Sequence, residues 1–106
     1  MKRYLVLFTT FPERKTGQKI CKTLINENLT ACCQIVDGII SFYWWKNKIE
    51  KSKECLCILK TEKTMLSKLK KRIKDLHPYE IPEIVIVEAE DIDKDYAHWI
   101  TSVIRK

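Results

Sequence analysis

Glycine and proline are scarce in this chain of 106 residues, at two and three copies. A phosphate-cradling loop needs clustered glycines, and there are none. A nucleophile elbow and a Cys-x-x-Cys pair are missing as well, which leaves acyl transfer and a standard zinc ribbon without their motifs. No stretch approaches the roughly 18 apolar residues of a membrane span. The opening "MKRYLVLFTTF" has an apolar run of only about five residues, short of the roughly 7–15 of a secretory signal. It reads as a strand. Linkers, repeats and breaks in composition are also absent, so residues 1–106 read as one domain.

Charge and cysteine are plentiful. The formal net charge is +6. Lysines alternate with acids over much of the chain, which favours an ordinary solvated surface over a dedicated anion-binding one. Cys21, Cys32, Cys33, Cys55 and Cys57 are odd in number and irregular in spacing. That is a poor disulfide framework, and reduced thiols in a cytoplasmic setting are the simpler reading.

Hydrophobic spacing predicts a strand over 4–10, a helix over 15–28 and a β-like stretch over 31–45 bent at "VDG". A second long strand follows over 49–61, then a helix capped by Thr64 with a Leu66, Leu69, Ile73, Leu76 stripe. Two prolines hold "HPYEIPE" extended before a short strand over 84–89, which reads as buried. A last helix over 93–104 has Asp91, Asp93 and Asp95 at its start and Arg105 and Lys106 beyond its end, as the helix dipole favours. The order is βαββαβ plus a helix: an α+β, ferredoxin-like sandwich with an extended central hairpin and an additional C-terminal helix.

The hairpin carries "SFYWWKNK" at its tip. With the turn centred on Lys46 and Asn47, Trp45 faces Lys48 and Tyr43 faces Glu50. Each arm then runs about 13–15 residues, where ordinary strands have about 5–6. One domain's helices cannot cover such an arm. Phe42 and Trp44 point one way and Tyr43 and Trp45 the other, so the four rings form an assembly surface for a closed homo-oligomer.

An RNA-recognition module would carry its aromatics on the third strand, but that strand reads "KECLCILKT", so nucleic acid is not an expected partner. Cys55 and Cys57 share one strand face and read as small apolar residues. Two readings fit the proline-bearing loop. His77, Glu80 and Glu83 are imidazole and carboxylate ligands suited to copper or zinc, or their polar groups simply bond to backbone. His98 reads as solvent-facing. The acidic series 91, 93, 95 lacks the glycine and distant glutamate of a calcium loop and reads as helix capping. No convergent polar set suggests catalysis.

Five pieces occur in order: an Ala-Cys strand start, the Tyr-Trp-Trp hairpin, a Leu-Lys-Thr exit, "HPYEIPE", and "YAHWI". In these the chain resembles the CutA family of divalent-cation tolerance proteins. The resemblance implies a homotrimer with hairpins packed across subunits, similarity to PII-type signalling trimers, and a link to copper and other divalent cations. A first-strand cysteine proposed as a copper ligand in some members corresponds to Phe8 here, and a histidine before His-Pro-Tyr to Leu76. Glu83 is kept, so His77 would have to substitute. The resulting expectation is a cytoplasmic, non-enzymatic homotrimer that binds a divalent cation, copper first, or a small effector at inter-subunit clefts. Its cleft would include Lys60, Tyr79 and Trp99 beside His77, Glu80 and Glu83. No cofactor is required for folding and no membrane insertion is expected. The alternative is a scaffold whose basic helix, Lys68 to Lys74, docks an anionic partner.

Overall fold

The computed structural model describes residues 2–104. Strand β1 (Tyr4–Phe11) leads to helix α1 (Arg14–Asn26), then to β2 (Cys32–Trp45) and β3 (Lys48–Glu62). A 3-10 turn (Lys63–Met65) enters α2 (Leu66–Leu76), and β4 (Val85–Glu88) and α3 (Lys94–Ile104) complete the chain. The sheet is antiparallel in the order β2-β3-β1-β4. This is the expected ferredoxin-like arrangement. Arg105 and Lys106, read as dipole partners of the last helix, lie outside the described residues.

Local chemistry explains most boundaries. Helix α1 stops where Asn28 adopts φ 59. The Asn28 N–H then reaches the Ile25 carbonyl and the Leu29 N–H the Leu24 carbonyl, closing the orphan carbonyls of the last turn. The Asn28 side chain also donates to the Val103 carbonyl at 2.9 Å, tying α1 to α3. Lys46 (φ 49) and Asn47 (φ 66) form the two-residue hairpin turn, with Trp45 opposite Lys48 and Tyr43 opposite Glu50 as expected. The predicted "VDG" bend is a β-bulge: Asp37 and Gly38 together oppose Cys55, and Gly38 sits at φ 72. Asp93 caps α3 by accepting from the backbone N–H groups of Asp95 and Tyr96, both at 3.1 Å. Thr64 does not cap α2. Its hydroxyl donates to Glu62 at 3.2 Å, because the 3-10 turn intervenes and moves the true helix start to Leu66.

Helices α1 and α2 cover one face of the sheet. The main core lies there, built from Leu7, Phe11, Leu24, Leu59, Leu69 and Ile73 with Cys55 and Cys57. Each such buried leucine or isoleucine contributes about 1.5–3 kcal/mol. Gly17 allows the close approach. A Cβ there would stand 2.8 Å from Cys55 Sγ and 3.3 Å from Cys57 Sγ. Gly17→Val is therefore expected to cost about 2–3 kcal/mol by overpacking, read as a lower denaturant midpoint.

Cys21 of α1 and Cys33 of β2 form a disulfide, with Cα atoms 6.0 Å apart. This corrects the expectation of five reduced thiols: the inward face of α1 brings two distant cysteines to bridging distance. Cys32, Cys55 and Cys57 are free.

The opposite face is covered only at one end. There α3 packs Ala97, Ile100 and Ile104 onto Tyr4 and Ala31, and Tyr4 Oη meets Thr101 Oγ1 at 2.8 Å. Farther along that face Val6, Phe8, Leu56 and Ile58 are only partly buried. Strand β4 is not buried as expected: it is an edge strand paired only with β1, leaving Val85 and Val87 about half exposed (49% and 50%). The hairpin arms, 14 and 15 residues long, extend the molecule to 44 Å along its longest axis. Phe42 and Trp44 are 67% and 73% exposed. His98 is exposed, as expected.

Candidate functional site

The loop after α2 is shaped by His77 and Pro78. A residue before proline is pushed out of the helical region, and His77 takes φ −72 and ψ 134. Its ring is thereby turned into the protein and stacks on Phe11 at 4.4 Å. Nε2 lies 2.8 Å from the Thr10 carbonyl, and Nδ1 lies 3.1 Å from the Tyr79 N–H. A carbonyl only accepts and an N–H only donates, so Nε2 carries the proton and Nδ1 is the acceptor. Burial pushes the histidine pKa down from 6.5 and so favours the neutral ring, against smaller upward pulls from the Thr10 carbonyl and Glu54.

Both nitrogens of His77 are thus engaged, and metal coordination would have to break one of these bonds. Of the two readings of this loop, hydrogen bonding to backbone holds for His77. Nor does one chain gather His77, Glu80 and Glu83 into a common shell.

The loop instead builds a cleft. Tyr79 Oη donates to Glu54 Oε2 at 2.6 Å, and burial followed by that bond pushes the phenol pKa well up. Glu54 is itself buried. Above this pair, a cavity of about 870 Å³ separates Ser41–Trp45 of β2 from residues 78–83. Glu80 and Glu83 are exposed at its rim beside Ile81. Their carboxylates have no ion-pair or hydrogen-bond partner among the described residues.

Sequence reasoning missed Glu54 and Thr10. A glutamate directly before the apolar run "CLCIL" is the one available signal, and nothing in its spacing points to Tyr79.

Lys60 and Trp99 lie elsewhere. Lys60 Nζ donates to Gln34 at 2.8 Å and sits 5.7 Å from the Tyr96 ring, on which Trp99 stacks at 5.6 Å. The Cys32 thiol lies 3.5 Å from Tyr96 Oη and, with burial, pushes that phenol up to about 12. Lys60 is six residues from Glu54, about 20 Å along a strand. The expected ligand cleft therefore divides into two surfaces at opposite ends of β3.

Residues 5–103 match the family model described as CutA1 divalent ion tolerance protein. The chain belongs to the CutA1 family. Its similarity to the divalent-cation tolerance protein CutA of Pyrococcus horikoshii is 40% identity over 96% of this chain and 99% of that one. The crystal structure of CutA1 from Ehrlichia chaffeensis matches with TM-score 0.93 and 29% identity, covering 98% of this chain and 97% of that chain. A periplasmic CutA of Archaeoglobus fulgidus matches with TM-score 0.92 and 30% identity over 95% and 98% of the two chains. Among the described residues of this CutA1 chain, no helix is long and apolar enough to cross a membrane.

The family description concerns divalent ions, and the site can be weighed against such a cation. The two free rim carboxylates suit one as oxygen donors, while His77 fits poorly because both its nitrogens are taken.

Proposed function

We propose that this CutA1 family member acts as a homotrimer that takes a divalent cation, copper(II) foremost, or a small effector, in clefts closed by a neighbouring subunit. It serves metal homeostasis or signalling in the cytoplasm and catalyses no reaction. The observation that carries this reading is the cleft under the hairpin: its lining includes Thr10 and the Tyr79–Glu54 pair, and its rim offers two unpartnered carboxylates. A rim of carboxylates with one wall missing is an incomplete coordination shell, and a second chain can finish it. The surface of Lys60, Tyr96 and Trp99 supplies a cation and stacked rings to any effector bound between chains.

Copper leads because divalent affinity at nitrogen and oxygen sites peaks there. Isothermal calorimetry with copper, zinc and cadmium tests the cleft. Replacing Glu80 and Glu83 together by glutamine is expected to weaken copper(II) binding by roughly 10–100-fold or more. Unchanged affinity in that variant rejects the cleft.

The scaffold alternative has less support. On α2, Arg72 is held bidentately by Glu27 at 2.8 Å and Lys71 pairs with Asp75 at 3.1 Å, so part of the basic face is already neutralised.

A further inference from the structure

Four of the five cysteines gather beneath one helix, away from the cleft. The Sγ atoms of Cys21 on α1, Cys33 on β2 and Cys57 on β3 all lie within 4.8 Å of one another. The register explains the convergence. Cys33 stands opposite Leu59, so Cys57 is its diagonal neighbour on the helix-covered face. Gly17, one turn before Cys21, brings the helix down onto that row of sulfurs.

Three sulfur donors from three elements, with no imidazole or carboxylate joining them among the described residues, make a soft site. Thiolate-only sets select cuprous ion, zinc and iron–sulfur clusters. Structural zinc takes four ligands, and Cys55 stands outside the group of three. A three-sulfur shell suits a cuprous ion.

We propose that, in the reduced chain, Cys21, Cys33 and Cys57 hold one cuprous ion in a trigonal thiolate site, and that the Cys21–Cys33 disulfide is the closed, cation-free form of the same site. A dithiol opens it. Its thiolate attacks Cys33 Sγ, the less buried member of the pair, and expels the Cys21 sulfur. A second exchange releases the dithiol as its own disulfide, after delivery of two electrons and two protons. The cuprous ion then displaces the three S–H protons to water without changing oxidation state.

Thr9 adds an independent mark. It faces Cys57 across the β1–β3 ladder, is fully buried, and its hydroxyl has no hydrogen-bond partner among the described residues. A buried hydroxyl left without a partner is unusual, and this one lies on the strand position opposite a sulfur of the cluster.

The test uses the full chain, reduced without oxygen and titrated with cuprous ion against a chromophoric cuprous chelator. One ion per chain is expected, with copper X-ray absorption fitted by three sulfurs. Cys57→Ala is expected to weaken binding more than roughly 100-fold, beyond the loss typical of an outer-shell change. Cys32→Ala, on the other face of the sheet, and the Glu80→Gln, Glu83→Gln pair are expected to leave it unchanged. Chain oxidised at Cys21–Cys33 is expected to take up none. Fewer than three sulfurs on copper in the unmodified chain, or equal uptake by the oxidised chain, overturns the proposal. The absorption measurement needs no substitution, so a Cys57→Ala chain that fails to fold does not blunt it. Copper(II) calorimetry on the rim variants reads the cleft separately, so either site can fail alone.

Discussion

Replacing Phe42 and Trp44 together by serine is expected to drop the solution mass from three times the 12.6 kDa chain to one. The proposed trimer buries both rings, which in a single chain stand 67% and 73% exposed. Each ring contributes about 2–3 kcal/mol on burial, and a trimer contains three copies of the pair. The core beneath α1 and α2 does not touch these rings, so the monomer is expected to keep its far-ultraviolet circular dichroism. Light scattering coupled to size-exclusion chromatography reads the outcome. A variant that remains trimeric shows that the hairpin is not the assembly surface.

The second large effect is expected at His77. His77→Ala removes a stacked ring from Phe11 and leaves the Thr10 carbonyl without its donor, a loss of about 3 kcal/mol or more. The same residue gives stability a pH dependence. In the unfolded chain the imidazole takes up a proton as pH falls through 6.5, whereas the buried ring resists it. The unfolded state therefore binds more protons, and stability falls as pH drops from 6.5 toward the lower native value. Above 6.5 the contribution is fully present. Denaturant titrations from pH 7.5 downward are expected to show this decline in the unmodified chain, and a flatter curve over the same window in His77→Gln. Parallel curves would mean that some other group sets the slope.

The frame of the fold was legible because each device is local. Asn47 at the turn, Gly38 in the bulge and Asp93 before the last helix act on their own neighbours, so residue type alone located them. The length of the arms, read against the reach of two helices, was enough to infer the exposed rings. What stayed hidden depended on tertiary proximity. His77 has the same identity whether its nitrogens face solvent or the Thr10 carbonyl, and only the fold decides between them. The Cys21–Cys33 bridge required knowing which turn of α1 lies over β2. Val85 and Val87 share the apolar pattern of a buried strand, yet β4 ends the sheet and has no second neighbour. Lys60 and Tyr79 were grouped by chemistry, but strand geometry separates Lys60 by six residues from Glu54, the partner of Tyr79.

The bulge at Asp37 and Gly38 has a consequence well beyond its own size. Before it, odd-numbered residues of β2 pair with odd-numbered residues of β3, as Cys33 does with Leu59; after it, odd pairs with even, as Tyr43 does with Glu50. The extra residue thus inverts the phase of the arm, and with it the side to which every tip residue is dealt. Phe42 and Trp44 continue the side of the sheet that carries α1 and α2, while Tyr43 and Trp45 continue the side of Glu54. Excising one residue there would leave the aromatic block intact in composition and reversed in address. The identity of the tip is written in the tip, but its orientation is set several residues upstream, by a glycine that touches none of the rings.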